Sequence, residues 1–244
     1  MFGIETRYLS FFFGLVSILS FFNVIYSYYL NLYLNLDTYY LSFFCSLVIS
    51  ILFYNLKFEQ KRLTIFNKIL TVFVGYIFIP LVLSIPFYFS IYNLTLLNSF
   101  FEAISGFTST GFTIFDNVKH IDQSLILWRS STQWIGGLYF LFSIIFLIDI
   151  YDENFKKTLT NFISFDSSEI FKQAIKIFLL YSVLTLIIFI ILNIFSIRTF
   201  DSLNLSFSLI SSGGFLPVND LSIILKENSQ VIITSLLMLT SFFS

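Results

Sequence analysis

Apolar residues in this chain run in long blocks, separated by short polar connections. Five blocks approach or exceed the roughly 20 residues needed to cross about 30 Å of hydrocarbon as a helix. They cover 9–30, 39–56, 65–91, 124–150 and 170–195, and each predicts a membrane span. The third and fifth begin among charged residues, so their apolar cores are shorter than these limits. Pro80 predicts a kink in the third, where neighbouring helices can satisfy the carbonyl it frees. Two further apolar pieces, 94–107 and 200–210, are too short to cross. Each runs into glycine and Ser/Thr, the pattern of a segment that enters the membrane and turns back.

Composition agrees with that pattern. Apolar residues make up 57% of the 244 positions, aromatic residues 21% and charged residues 11%, against about 25% charged in an ordinary soluble domain. That is too little charge to coat a globule of this size in water. The formal net charge of −1 excludes a basic nucleic-acid footprint. A single cysteine, Cys45, cannot form an internal disulfide, and a single histidine, His120, excludes a histidine-cluster metal site. The first apolar run follows Glu5 and Arg7 and lacks a small-residue cleavage site, so it reads as a retained span.

Basic residues orient the spans. With the N-terminus in the cytoplasm, the inner side receives Arg7, Lys57, Lys61, Arg62, Lys68, Lys156, Lys157, Lys172 and Lys176. The outer side keeps Lys119, Arg129, Arg198 and Lys226. Nine against four favours this orientation, and both short segments then dip in from outside.

A shift of 103 positions lays 97–112 (LNSFFEAISGFTSTGF) over 200–215 (FDSLNLSFSLISSGGF). Identities fall at Ser99/Ser202, Ser105/Ser208, Ser109/Ser212, Gly111/Gly214 and Phe112/Phe215. The same shift lays the third span on the fifth without a gap. The repeating unit is span, short helix, Gly-Ser/Thr turn, span, and the first two spans stand outside it. Gly136 and Gly137 read as small residues that let helices pack closely in lipid. Gly111 and Gly214 differ, because each follows a hydroxyl-rich run: Thr108-Ser109-Thr110 and Ser211-Ser212. A residue free to take positive φ lets successive carbonyls turn to one side, and carbonyl rings are what cation filters use in place of water. Both glycines are therefore expected in conformations other residues avoid.

SGFTSTGFT (105–113) followed by WRSSTQWIGG (128–137) resembles the first pore loop and following helix of the TrkH/KtrB-type potassium uptake proteins. SLISSGGF (208–215) resembles their second pore loop. The resemblance covers nearly the whole chain, since those proteins also carry two leading helices. It implies an all-α polytopic membrane protein with two leading helices, then two helix–pore loop–helix repeats, the second incomplete. The implied divisions are a leading hairpin at 1–60, a first repeat at 61–155 and a second at 156–244. In the family four such repeats surround one ion path. Thr108, Ser109, Thr110 and Gly111 would form one strand of the selectivity filter, and Ser211, Ser212, Gly213 and Gly214 another. K+ would pass by their backbone carbonyls, with no cofactor in the chain. Glycine at the filter positions goes with K+ in the family, whereas serine in the first loop goes with Na+ permeation.

The departure from the family is the number of repeats. The third and fourth filter strands, and the intramembrane gate of the third repeat, are not in this sequence. The 14 residues 231–244 give about 21 Å of helix, short of about 30 Å of hydrocarbon. The chain therefore reads as about half a pore, completed by a second copy or by a chain carrying the other two repeats. A cytosolic nucleotide-binding regulatory subunit is the further partner implied, docking on the inner face around 151–176. The implied setting is a bacterial inner membrane. A non-conducting membrane protein that pairs with a full-length transporter is the alternative.

Glu102, the acid inside a short helix, fits either a cation-attracting role at the pore mouth or a local pair. Arg129, beside Trp128, reads as an anchor at the outer surface, or by resemblance as a brace for the filter. Asn93 and Asn204 match the glycosylation pattern, a short match that arises by chance. No metal-binding HExxH helix, P-loop or dinucleotide fingerprint is present, and Ser105 and Ser208 have no base, since His120 falls in an outer loop. An enzyme is not expected.

Overall fold

The structure is a computed structural model and describes residues 4–56, 65–147 and 170–239. The described residues are helices and their connections, without a strand among them. Helices α1 (Thr6–Tyr29) and α2 (Leu36–Asn55) form the leading hairpin. Helix α3 (Ile65–Leu83) is continued after a break by α4 (Ile85–Tyr88). The short α5 (Leu96–Phe107) and the long α6 (Gln123–Leu147) follow. Beyond them come α7 (Ile170–Ile194), the short α8 (Thr199–Ile210) and α9 (Asn228–Met238). Five helical segments are long and apolar enough to cross a membrane: Thr6–Tyr29, Leu36–Asn55, Ile65–Tyr88, Gln123–Leu147 and Ile175–Ile194. The chain is an all-α, multi-pass membrane protein.

The third span is interrupted at Ser84, and Pro80 sits inside α3. Pro86, in the first turn of α4, has no N–H to return to the carbonyl four residues back, so the ladder lapses between the two helices. The bounds of α5 and α8 differ by 103 positions at both ends, the shift read from the sequence.

Within the hairpin, small residues let α1 and α2 approach. Ser10 and Ser50 each donate to the other's carbonyl, at 2.9 and 2.8 Å, and Ser20 donates to Ser42 at 3.0 Å. Helix α6 is the centre of the molecule. It touches α1, α3, α4, α5, α7 and α8, and 67% of its apolar window is buried, against 22% for α2 and α7. Its glycines permit this. A side chain at Gly136 would overlap the Phe107 carbonyl at the end of α5. One at Gly137 would lie 2.8 Å from the Ser211 Cβ at the end of α8. Tyr139 packs among Phe12, Tyr76 and Phe107, with its hydroxyl donating to the Val72 carbonyl at 2.9 Å.

Lys57, Lys61, Arg62, Lys156 and Lys157 lie outside the described residues, so orientation rests on the basic-residue count. In a Cys45→Ser background, Asn117→Cys is expected to react with an impermeant maleimide from outside intact cells. Lys157→Cys reacts only after permeabilisation. The opposite pattern would invert the topology.

Candidate functional site

Both short helices end in the same way. In α5 the Ser109 N–H bonds the Gly106 carbonyl at 2.9 Å and the Thr110 N–H bonds the Ser105 carbonyl at 3.0 Å. In α8 the Ser212 N–H bonds the Leu209 carbonyl at 3.3 Å and the Gly213 N–H bonds the Ser208 carbonyl at 2.8 Å. This is the Schellman termination, which needs a left-handed residue just past the cap. Glycine usually fills that place; here it is Ser109 and Ser212, each with φ 55°. A serine one turn back then closes each loop. Ser105 Oγ donates to the Phe112 carbonyl at 2.6 Å, and Ser208 Oγ donates to the Gly213 carbonyl at 2.9 Å. Thr108, Thr110, Ser212 and Gly214 are exposed at the tips, while Ser105, Gly106, Phe107 and Ser208 are buried behind them.

The expectation for the two glycines is met at one of them. Gly111 has φ +77°, whereas Gly214 is not in the left-handed region. Glycine at 214 answers to proximity. A Cβ on Gly111 would lie 2.5 Å from the Gly214 Cα, and one on Gly214 would lie 3.2 Å from the Gly111 Cα. The two turns meet backbone to backbone.

For Glu102 and Arg129 the structure removes one of the two readings open to each. Glu102 is 0% exposed and Arg129 1% exposed, so neither is a pore-mouth acid or a surface anchor. They form a buried ion pair, Nε to Oε1, at 2.8 Å. The carboxylate also accepts from the Thr113 hydroxyl at 3.0 Å and from the Ile114 N–H at 3.0 Å. Arg129 Nη2 donates to Thr113 Oγ1 at 3.1 Å, and the guanidinium lies 4.3 Å from the centre of the Phe215 ring. Ion pair and hydroxyl together fasten the chain that leaves the first turn to α5 and α6. Arg129 borders a recess of about 210 Å³ between the two turns, shared with Gly111, Thr113, Gly214 and Phe215.

The second turn is held one helical turn further along α6. Gln133 is fully buried. With its amide oriented to suit its neighbours, its oxygen accepts from the N–H groups of Gly214 at 2.8 Å and Phe215 at 2.7 Å. Its NH2 faces Ser208 Oγ at 3.3 Å. Ser130, on the same helix, donates to Asn204 Oδ1 of α8 at 2.6 Å. Asn204 is thus a buried helix-packing residue rather than a glycosylation site. Outside the turns, Asn219 bridges the outgoing segments, accepting from the Val118 N–H at 2.7 Å and donating to Asn117 Oδ1 at 3.1 Å. The positions of α9 that lie 103 beyond Arg129 and Gln133 are Ile232 and Leu236, both exposed.

The sequence reading thus located the turn residues 108–111 and 211–214, which the fold brings together, and missed Gln133, Ser130 and Asn219. A signal for Gln133 was available. Arg129, Gln133 and Gly136–Gly137 recur at helical spacing within one apolar run, and polar residues inside a span are functional by default.

No family model matches the chain. Among curated proteins it is 25% identical over 171 residues to an uncharacterized cation transporter of Methanocaldococcus jannaschii, across 66% of this chain and 34% of that one. It is 28% identical over 139 residues to the Trk system potassium uptake protein TrkH of Salmonella typhimurium, across 54% and 29%. A stretch of 60 residues is 40% identical to the Trk system potassium uptake protein TrkI of Halomonas elongata, across 25% and 11%. The crystal structure of the potassium transporter TrkH from Vibrio parahaemolyticus matches with a TM-score of 0.78 at 18% identity, over 96% of this chain and 48% of that one. The chain spans about half the length of that structure and about a third or less of the curated relatives. All of these relatives are named for cation or potassium transport. In sequence the chain is thus similar to a cation transporter and to Trk system potassium uptake proteins, and in fold to TrkH.

Proposed function

We propose that this chain forms part of a membrane pathway for a monovalent cation, K+ in the first instance, and that 108–111 and 211–214 are its ion-binding turns. The observation that carries the proposal is the pair of matched turns. Each ends a short helix among membrane-spanning ones, and each exposes hydroxyls and backbone at its tip. Irregular backbone at membrane depth is tolerated only where it is buried in protein or lines a wet cavity. The C-terminal ends of α5 and α8 add partial negative charge beside both turns, which favours a cation. The names of the relatives supply the ion. On this reading 1–60 is a leading hairpin, 61–155 and 156–244 are two helix–turn–helix repeats, and the remaining oxygens come from two further turns. Those belong to a second copy or to a chain carrying two more repeats. A cytosolic nucleotide-binding subunit is the regulatory partner, and a bacterial inner membrane the setting.

The test is ion uptake in a potassium-uptake-deficient bacterium that expresses residues 1–244 with a chain supplying two further turns. Gly111→Ser is expected to lower the preference for K+ over Na+ by about tenfold, because the turn loses its left-handed glycine and its fit to the neighbouring turn. Uptake that ignores substitution at both Gly111 and Gly214 would favour the non-conducting alternative.

A further inference from the structure

We infer that Gln133 is the positioning residue of the second turn, and that α6 sets the two turns through two separate side chains. The inference rests on the ion-binding reading above and names a residue which that reading does not contain. Three observations converge on it. The Gln133 amide is fully buried at the back of the turn, with the Gly214 and Phe215 N–H groups 2.8 and 2.7 Å from its oxygen. Its NH2 group faces Ser208 Oγ, which in turn donates to the Gly213 carbonyl, so one amide engages both limbs of the loop. Gly213 makes room for it: a Cβ there would lie 2.5 Å from the Gln133 amide carbon.

Geometry turns these contacts into control over an oxygen. Across a planar trans peptide the carbonyl points opposite to the following N–H, and the described residues contain no cis bond. With the Phe215 N–H fixed towards Gln133, the Gly214 carbonyl is directed away from α6. Loss of the amide leaves two buried N–H groups unpartnered, and the peptide then rotates to satisfy them. The first turn has no such dependence. Its outgoing chain is held by Glu102 and Arg129, through Thr113 Oγ1 and the Ile114 N–H. The two restraints stand one helical turn apart on α6, and each can be removed without the other.

The experiment compares Gln133→Leu, which removes the amide, with Gln133→Glu, which keeps the accepting oxygens at the same length. In detergent, Gln133→Leu is expected to speed amide exchange at Gly214 and Phe215 by about tenfold or more and to leave Ile114 unchanged. Gln133→Glu retains most of the protection. In the uptake assay the leucine variant loses about tenfold in K+ over Na+ preference, and the glutamate variant recovers most of it. Unchanged exchange at Gly214 and Phe215 in the leucine variant overturns the inference. So does an unchanged ion preference in that variant when Gly111→Ser shifts it. If neither substitution alters ion preference while exchange responds, the ion-binding reading is what has failed, and Gln133 is left holding the fold alone.

Discussion

Replacing Arg129 by leucine is expected to cost about 3–5 kcal/mol of stability, read from thermal or denaturant unfolding in detergent, because it leaves a buried carboxylate without its counter-ion. Glu102 is 0% exposed, so water cannot take over the role of the guanidinium. Glu102→Leu produces a loss of the same order by stranding the arginine instead. The double variant Glu102→Leu/Arg129→Leu is expected to lie well short of the sum of the singles, since it removes both charges and leaves only the Thr113 hydroxyl and Ile114 N–H to find new partners. Singles within about 0.5 kcal/mol of the parent, the range of ordinary surface changes, would show that the pair does not hold the structure.

Expressed by itself, the segment 1–244 is expected not to rescue an uptake-deficient bacterium at low potassium. An ion that sheds its water needs oxygens on every side, and this segment contributes two turns that meet at Gly111 and Gly214. Co-expression with a chain carrying two more turns is expected to restore growth. Rescue by 1–244 alone, abolished by Gly111→Arg, would mean that a second copy supplies the missing oxygens.

The spans were legible because apolar blocks of this length have few other uses, and α5 and α8 were legible because the sequence repeats itself at 103 positions. What pairing decides was not. Glu102 and Arg129 are 27 positions apart, and nothing local marks them as partners. Their burial decides against the surface role and for the paired one that each also allowed. The left-handed serines were hidden by a substitution: Schellman ends advertise themselves by glycine, and 109 and 212 carry serine instead. The eye is drawn to the neighbouring glycines, one of which, Gly214, is there for closeness and not for φ. The interruption at Ser84 precedes Pro86, a second proline to which the sequence reading gave no role.

The bracing of both turns by α6 has an evolutionary consequence. Whatever symmetry a duplication once gave the two halves, the labour is now unequal. Lesions at Arg129 or Gln133 strike a turn directly; a side chain at Gly136 pushes α6 off the end of α5, and one at Gly137 pushes it off the end of α8. Ile232 and Leu236, at the matching places on α9, are apolar and carry no group that could brace a turn by hydrogen bonding. Substitution on the α6 face is therefore constrained by both turns together. A loss at 129 or 133 has no counterpart in α9 that could make it good.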